Sequence, residues 1–235
     1  MQPRATAMAA ALITAAGGAG MAGAAPAARA ATGHRFTARV TNPWFPLRPG
    51  MRWEYRGAKD GRRMREVVRV KDAIARIDGV ACAVVDDRAY LDGRLAERTT
   101  DWYTQDAHGT VWYYGERTAE LDGRGRVTSR EGSWRAGRDG ARAGVFMPAD
   151  PPVGRSYAQE HYPAHAEDHF RIVTRRASVT VPFGRFRHRA LMTREWTPLE
   201  PGLRDGKWYI KGIGVVREAA LKGPVEHAEL VAFHR

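Results

Sequence analysis

The chain predicts an all-β fold: an antiparallel meander curled into a single barrel or half-barrel, preceded by a cleaved signal peptide. Three observations predict it. Asp-Gly recurs at 60–61, 78–79, 92–93 and 122–123, each time between strand-forming stretches. The pair fits the left-handed torsions of type I′ turns and so marks tight hairpins. Between the turns, Val68 and Val70, then Val80, Cys82 and Val84, alternate with polar residues, which is the period of a strand. Beyond residue 30 no helix-length window sustains i, i+3, i+4 periodicity. A sheet of roughly ten to thirteen strands tends to curl or close, which also hides its edges.

The first thirty residues read as a leader. Arg4 precedes a short apolar stretch, MAAALITAA, and Ala28-Arg29-Ala30 closes an Ala/Gly run with an A-x-A cleavage pattern. The apolar stretch is too short for a membrane span, and no later run approaches about 18 apolar residues, so no transmembrane anchor is expected after cleavage. No cysteine lies near the leader's end to carry a lipid anchor. Residues 31–235 are then one domain in a secreted or cell-envelope protein. Its one cysteine, Cys82, cannot make an internal disulfide and reads as a small buried hydrophobe.

Within the domain, residues 36–40 carry a first strand. Pro43, Pro46 and Pro49 forbid regular structure around Trp44, Phe45 and Leu47, which are expected to plug one end of the core. Strands follow over 51–55, 66–77 and 80–91. The stretch from Leu95 to Glu116 is the central hairpin, turning at Asp106-Ala107-His108-Gly109. At period two its first arm puts Thr99, Asp101, Tyr103 and Gln105 on one face, and its second arm puts Trp112, Tyr114 and Glu116 on another. Residues 124–144 thin into Arg, Gly and Ser around Trp134, and 135–144 within them predict a mobile surface loop. Apolar residues return at 145–148, and a Pro/Gly corner follows at 150–154. Strands are expected over 156–162, 170–174, 177–181, 186–196, 207–213, 215–220 and 225–233.

Four stretches carry a resemblance. Asn42-Pro43-x-Phe45-Pro46-Leu47-x-Pro49-Gly50-x-x-Trp53-x-Tyr55 resembles the opening of a set of exported bacterial β-rich proteins of unknown function. Asp101-Trp102-Tyr103-x-Gln105-Asp106-x-x-Gly109-x-Val111-Trp112-Tyr113 is similar to their central motif. Val181-Pro182-Phe183-Gly184 and Tyr209-x-x-Gly212-Ile213-Gly214-Val215-Val216 resemble their closing section. The resemblance implies a barrel-like envelope domain and brings no catalytic role.

The formal net charge is +12, of which Arg4 and Arg29 lie in the leader, and 33 of the 38 basic residues are Arg. Such a charge suits an anionic envelope polymer as partner. Arginine is scattered along every segment and no nucleic-acid-binding motif is present, so nucleic acid is not an expected partner.

Three constellations deserve chemical weight. His161, His165 and His169 recur every four residues, a spacing that would align three zinc ligands on a helix. Pro163 opposes the helix, and on a strand i, i+4 spans about 13 Å, too far for one ion. Asp101, Glu116 and Glu195 are carboxylates among Trp and Tyr, the pairing a secreted glycan hydrolase needs. Their expected partners are arginines, giving a satisfied polar layer. No Gly-x-Ser-x-Gly elbow occurs, and Gly212-Ile213-Gly214 leads into strand-forming valines instead of a helix. The leading expectation is a non-catalytic exported domain, without cofactor, binding a small or lipid-like ligand or an envelope partner. Trp53, Tyr55, Asp101, Tyr103, Trp112, Tyr114, Glu195 and Trp208 are its candidate lumen residues, with aromatics supplying contact area and acids orientation.

Overall fold

The turn chemistry is visible in the backbone of the first strands. The structure, a computed structural model, describes residues 35–235; the leader assigned to residues 1–30 lies outside them. Strands β1 (Arg52–Lys59), β2 (Arg62–Ile77), β3 (Val80–Leu91) and β4 (Arg94–Gln105) form a meander. At its three turns Asp60, Asp78 and Asp92 have φ of 51°, 47° and 49°, and the following glycines 70°, 76° and 82°, as type I′ requires. The fourth Asp-Gly pair behaves differently. After β5 (Val111–Leu121), the left-handed residue is Gly125 and not Asp122 or Gly123. The Asp122 carboxylate accepts from the amides of Arg124 and Arg126, both at 2.9 Å. Asp106 does the same for His108 and Thr110 in the turn before β5. A short acceptor side chain here shapes a longer turn.

The thin stretch 124–144 carries paired strands, two of which reach into the loop predicted over 135–144. β6 (Val127–Ser129), β7 (Trp134–Arg135) and β8 (Arg142–Met147) all pair with β5. Trp134 is the reason: it is buried edge-on to Tyr113 at 5.4 Å between centroids. One large anchor holds a polar segment onto the sheet.

The remaining strands are β9 (Ser156–Ala158), β10 (Glu160–His161), β11 (His169–Val181), β12 (Gly184–Trp196), β13 (Arg204–Ile210), β14 (Gly214–Lys222) and β15 (His227–His234). All fifteen form one antiparallel sheet whose main path runs β10-β8-β5-β4-β3-β2-β1-β15-β14-β13-β12-β11-β9, with β6 and β7 added beside β5. There is no helix among the described residues. The first strand β1 pairs with the last, β15, with Trp53 opposite Phe233. The sheet is curled and its ladder is not hydrogen-bonded into a closed barrel. Its two ends, β9 and β10, are consecutive pieces of chain separated by Gln159. Gly144 of β8 passes so close to the Gln159 carbonyl that a Cβ would collide with it. Glycine is what lets the two ends of the sheet meet.

One mouth of the curl is covered by the segment before β1. Thr37 and Gln105 exchange backbone hydrogen bonds at 2.9 and 3.0 Å, so the strand expected over 36–40 is reduced to isolated bridges. Asn42 fastens the segment, donating through Nδ2 to the carbonyls of Gly109 and Pro148 at 2.9 and 3.0 Å. Phe45 then descends between Tyr103 and Phe146, at 5.1 and 4.4 Å. The predicted plug is in place.

Candidate functional site

The interior beneath that plug is lined by the inward face of β4 and its neighbours. Glu97, Thr99, Asp101 and Tyr103 are all buried while Arg98 between them is exposed. On β5 the phase shifts. Asp101 faces Glu116, but Tyr103 faces Tyr113, because an extra residue is accommodated at Gly115. Gly115 has φ of 130° and lies against the Trp134 carbonyl, so only glycine fits. Tyr113 therefore points inward and stacks on Tyr103 at 4.7 Å. Trp112 and Tyr114, expected inside, lie on the other face, packed against Phe36 at 6.3 and 5.8 Å. Trp208 is displaced in the same sense. Its neighbours Lys207 and Tyr209 are the buried ones, and Trp208 stacks with Arg217 at 5.3 Å.

The charged interior was expected to pair with arginine. It does not. Glu66, Asp87, Glu97, Asp101, Glu116, Glu160, Asp168, Glu195 and Glu218 are buried, and the only buried cations among the described residues are Lys59 and Lys207. Strand alternation sends the arginines outward, where a weakly accommodated guanidinium stays in water. Lys207 lies 2.8 Å from Glu195 and 3.8 Å from Glu218. Burial opposes its charge, and these two carboxylates outweigh burial, raising its pKa well above the ordinary value. Glu195 also accepts from Thr193 at 2.9 Å and Gln159 at 3.3 Å. Glu97 is held by the hydroxyls of Thr99 and Thr118 at 3.2 and 3.1 Å.

The other acids have fewer partners. Asp101 accepts one hydrogen bond, from the Tyr113 hydroxyl to Oδ1 at 2.7 Å, and its Oδ2 has none. Neither oxygen of Glu116 is in a well-formed hydrogen bond, although Tyr113 lies near enough to oppose slightly the upward effect of burial. Burial first, and neighbouring acids next, push Asp87, Asp101, Glu116 and Glu218 far above the carboxylate range. Burial also lifts Glu66 and Glu97 to about 7 and Glu160 to about 8. Burial thus favours the neutral carboxyl over the carboxylate at these positions, the low-cost state for acids without cations.

Between plug and acids lies a cavity of about 50 Å³. Its apolar end is made by Phe45, Trp53, Tyr55 and Phe146, its polar end by Glu66, Asp101, Lys207 and Glu218. Trp53 and Tyr55 are fixed by hydrogen bonds from Nε1 and Oη to the carbonyls of Ile213 and Val215, at 2.7 and 3.0 Å. Of the eight candidate lumen residues, Trp53, Tyr55, Asp101 and Tyr103 line this cavity, and Glu195 lies behind it on Lys207. Lys207, Glu66, Glu218, Tyr113 and Phe146 were not read from the sequence. The alternation Lys207-x-Tyr209 was the available signal for Lys207. A wider groove of about 810 Å³ lies between residues 36–41 and the end of β2, lined by Val70, Ile74 and Ala81 with Arg39, Arg48, Lys71 and Asp72.

The three histidines do not converge. His161 is in β10, His165 stacks on Tyr162 at 4.4 Å in a turn through Ala164 (φ 64°), and His169 begins β11 stacked on Trp196 at 5.7 Å. Pro163 turns the chain where a helix would have aligned them. Among the described residues no three His, Cys, Asp or Glu side chains gather as metal ligands.

Fold and interior define a class: a curled antiparallel sheet around an acid-rich core sealed by an aromatic plug. No protein-family profile and no curated protein matches the chain. Two solved structures are similar. One is a protein inferred to be exported, with a YmcC-like fold, from Bacteroides fragilis; identity is 13%, coverage 83% of this chain and 100% of that one, and the TM-score 0.48. The other is an inferred lipoprotein from Parabacteroides distasonis, at 10% identity, 82% and 99% coverage and a TM-score of 0.44. Both scores are too low to carry over a site or an activity.

Proposed function

We propose that this is an exported, non-catalytic binding domain whose interior cavity takes a small molecule by a cationic end. The leader pattern supports export. The observation that carries the binding reading is Asp101: 0% exposed, one oxygen held by Tyr113, the other without a partner on the wall of a cavity. A buried polar atom left unpaired costs about 1–3 kcal/mol. Burial disfavours the Asp101 carboxylate, and a cationic group entering the cavity would draw that charge out and pair with the free oxygen, which Asn cannot do. The cavity volume sets the size of the guest. About 10–15 Å³ of such space holds one water, so about 50 Å³ suits a few waters or a small polar group flanked by rings, not an acyl chain.

Native mass spectrometry of protein purified from its own cells tests this. A small molecule released on denaturation, and lost in Asp101→Asn, is the expected result. Ligand-free protein in every preparation overturns the reading.

A lipid-like guest is favoured elsewhere by one observation, the 810 Å³ groove with apolar walls where Arg39, Arg48 and Lys71 outnumber the one acid, Asp72. Displacement of a fluorescent fatty acid that is abolished by Ile74→Asp and untouched by Asp101→Asn would assign lipid to that groove. For glycan hydrolysis by Asp101 with Glu116 or Glu195, the carboxyls must meet a polymer in an open cleft. Here Asp101, Glu116 and Glu195 are 0%, 1% and 2% exposed.

A further inference from the structure

On the outer face of β3, β4 and β5, away from the cavity, four arginines border one pocket of about 310 Å³: Arg88, Arg98, Arg117 and Arg130, with Thr100 among them. The sheet register forces the crowding. Arg88 stands directly opposite Arg98, and Arg117 opposite Thr100. Like charges facing each other across a strand pair destabilise a sheet. Arg130 comes from the segment after β6 and is held over the pocket by Ser133. That hydroxyl accepts from the Thr118 amide at 3.0 Å and donates to the Thr118 carbonyl at 3.2 Å, while the Ser133 amide donates to the Arg130 carbonyl at 3.2 Å.

The local acid does not neutralise this group. Asp86 lies 3.5 Å from Arg88 and 3.7 Å from Lys71, and accepts from the Thr100 hydroxyl at 3.3 Å. Arg88 also donates to the carbonyls of Asp87 and Thr99, at 2.7 and 3.2 Å. Among the described residues Arg98, Arg117 and Arg130 take part in no ion pair. Three guanidinium groups thus converge on one pocket with their fork of donors unmatched.

We propose that this pocket binds a phosphate-bearing group, a phosphomonoester or phosphodiester. Planar guanidinium forks match phosphate oxygens two at a time. A phosphomonoester charge of about −1.5 to −2 suits three unpaired cations better than a single carboxylate does. A diester, with one charge, still offers two oxygens to a guanidinium fork. The volume is at the lower end for small-molecule sites, roughly 300–1,000 Å³, which leaves room for phosphate with a glycerol or sugar attached. This site stands independently of the cavity reading.

The test is calorimetric titration of the whole protein with glycerol 3-phosphate at fixed ionic strength, alongside Arg98→Ala/Arg117→Ala. Because general basicity would also attract phosphate, Arg185→Ala/Arg187→Ala on exposed β12 serves as a control with the same loss of charge. Saturable one-to-one binding, weakened at least about tenfold in the pocket variant and unchanged in the control, is expected. Non-saturating binding, or equal weakening in both variants, overturns the site. Co-sedimentation with vesicles of equal phosphatidylcholine and phosphatidylglycerol distinguishes sources. Vesicle binding lost in the pocket variant alone assigns a lipid headgroup, and binding only to the free ester assigns a soluble phosphate. Failure to bind either probe sinks the proposal. Thermal melts confirm that each variant is folded.

Discussion

Lys207 is the residue on which the interior balance turns. It is 1% exposed, and its ammonium separates Glu195 from Glu218. Lys207→Met keeps much of the volume and removes the charge, leaving two buried carboxyls that must protonate or stand unpaired. Breaking one side of a buried pair costs about 3–5 kcal/mol, and that is the expected loss in urea unfolding at pH 8. At pH 5 the same substitution should cost less than half as much, because protonated carboxyls no longer need the cation. An equal loss at both pH values would mean that Lys207 acts by packing alone. Asp101 differs in kind. Asp101→Asn keeps shape and an acceptor while removing an acid whose charged form burial disfavours, so stability should change by less than about 1 kcal/mol. Binding, not folding, is where that substitution should register. Neither prediction was available from the sequence. Asp101 and Tyr103 were legible because they sit in an aromatic strand, but an isolated Lys is by default a surface residue, and only its alternation with Tyr209 marks Lys207 as the exception.

At the scale of elements, turn chemistry made the first half of the sheet readable. β3 begins after one Asp-Gly and ends before the next, so its bounds, Val80–Leu91, follow from the sequence alone. Facing was readable only where pairing stays in phase. The glycine at 115 inserts a residue, and every side chain beyond it changes face relative to the simple count. That is why Tyr113, and not Trp112 or Tyr114, meets Tyr103 inside. Single-sequence reasoning cannot see such a bulge, since the glycine that permits it looks like any glycine in a strand. Gly115→Ala therefore has a large expected effect. A Cβ would strike the Trp134 carbonyl and the residue would be held at φ of 130°. The cost should be about 2–4 kcal/mol by chemical denaturation. Near-ultraviolet circular dichroism should also change as Trp134 and the β7 pairing loosen. Retention of wild-type stability would show that the β4–β5 register can slip without penalty. Trp134 itself was visible as a lone Trp in a polar run. Its role as the anchor of that run was not, because its partners Tyr113 and Glu160 come from distant parts of the chain.

For the molecule as a whole, the excess of buried acids over buried cations sets how stability depends on pH. Burial raises Glu66 and Glu97 to about 7, Glu160 to about 8 and Asp205 to about 6, from ordinary values of 4.5 for Glu and 3.8 for Asp. Between those ordinary values and the raised ones the folded state binds more protons than the unfolded chain. Stability must then fall as pH rises through the window. Their contribution is intact below about pH 4 and has gone by about pH 8. The surface ion pairs act in the opposite sense. Glu54, held to about 2 mainly by Arg65, loses its contribution only in strong acid, and exposed pairs are worth about 0–1 kcal/mol each. The interior acids therefore decide the sign across the middle range. A shift of the size seen at Glu66 corresponds to about 3 kcal/mol, or about 10 °C in Tm for a domain of this length. Thermal melts at constant ionic strength should place the highest Tm near pH 4–5 and a value at least about 10 °C lower at pH 9. A Tm that is flat or rising from pH 5 to 8 would mean that the interior carboxyls are already ionised and paired, with cations drawn from outside the chain.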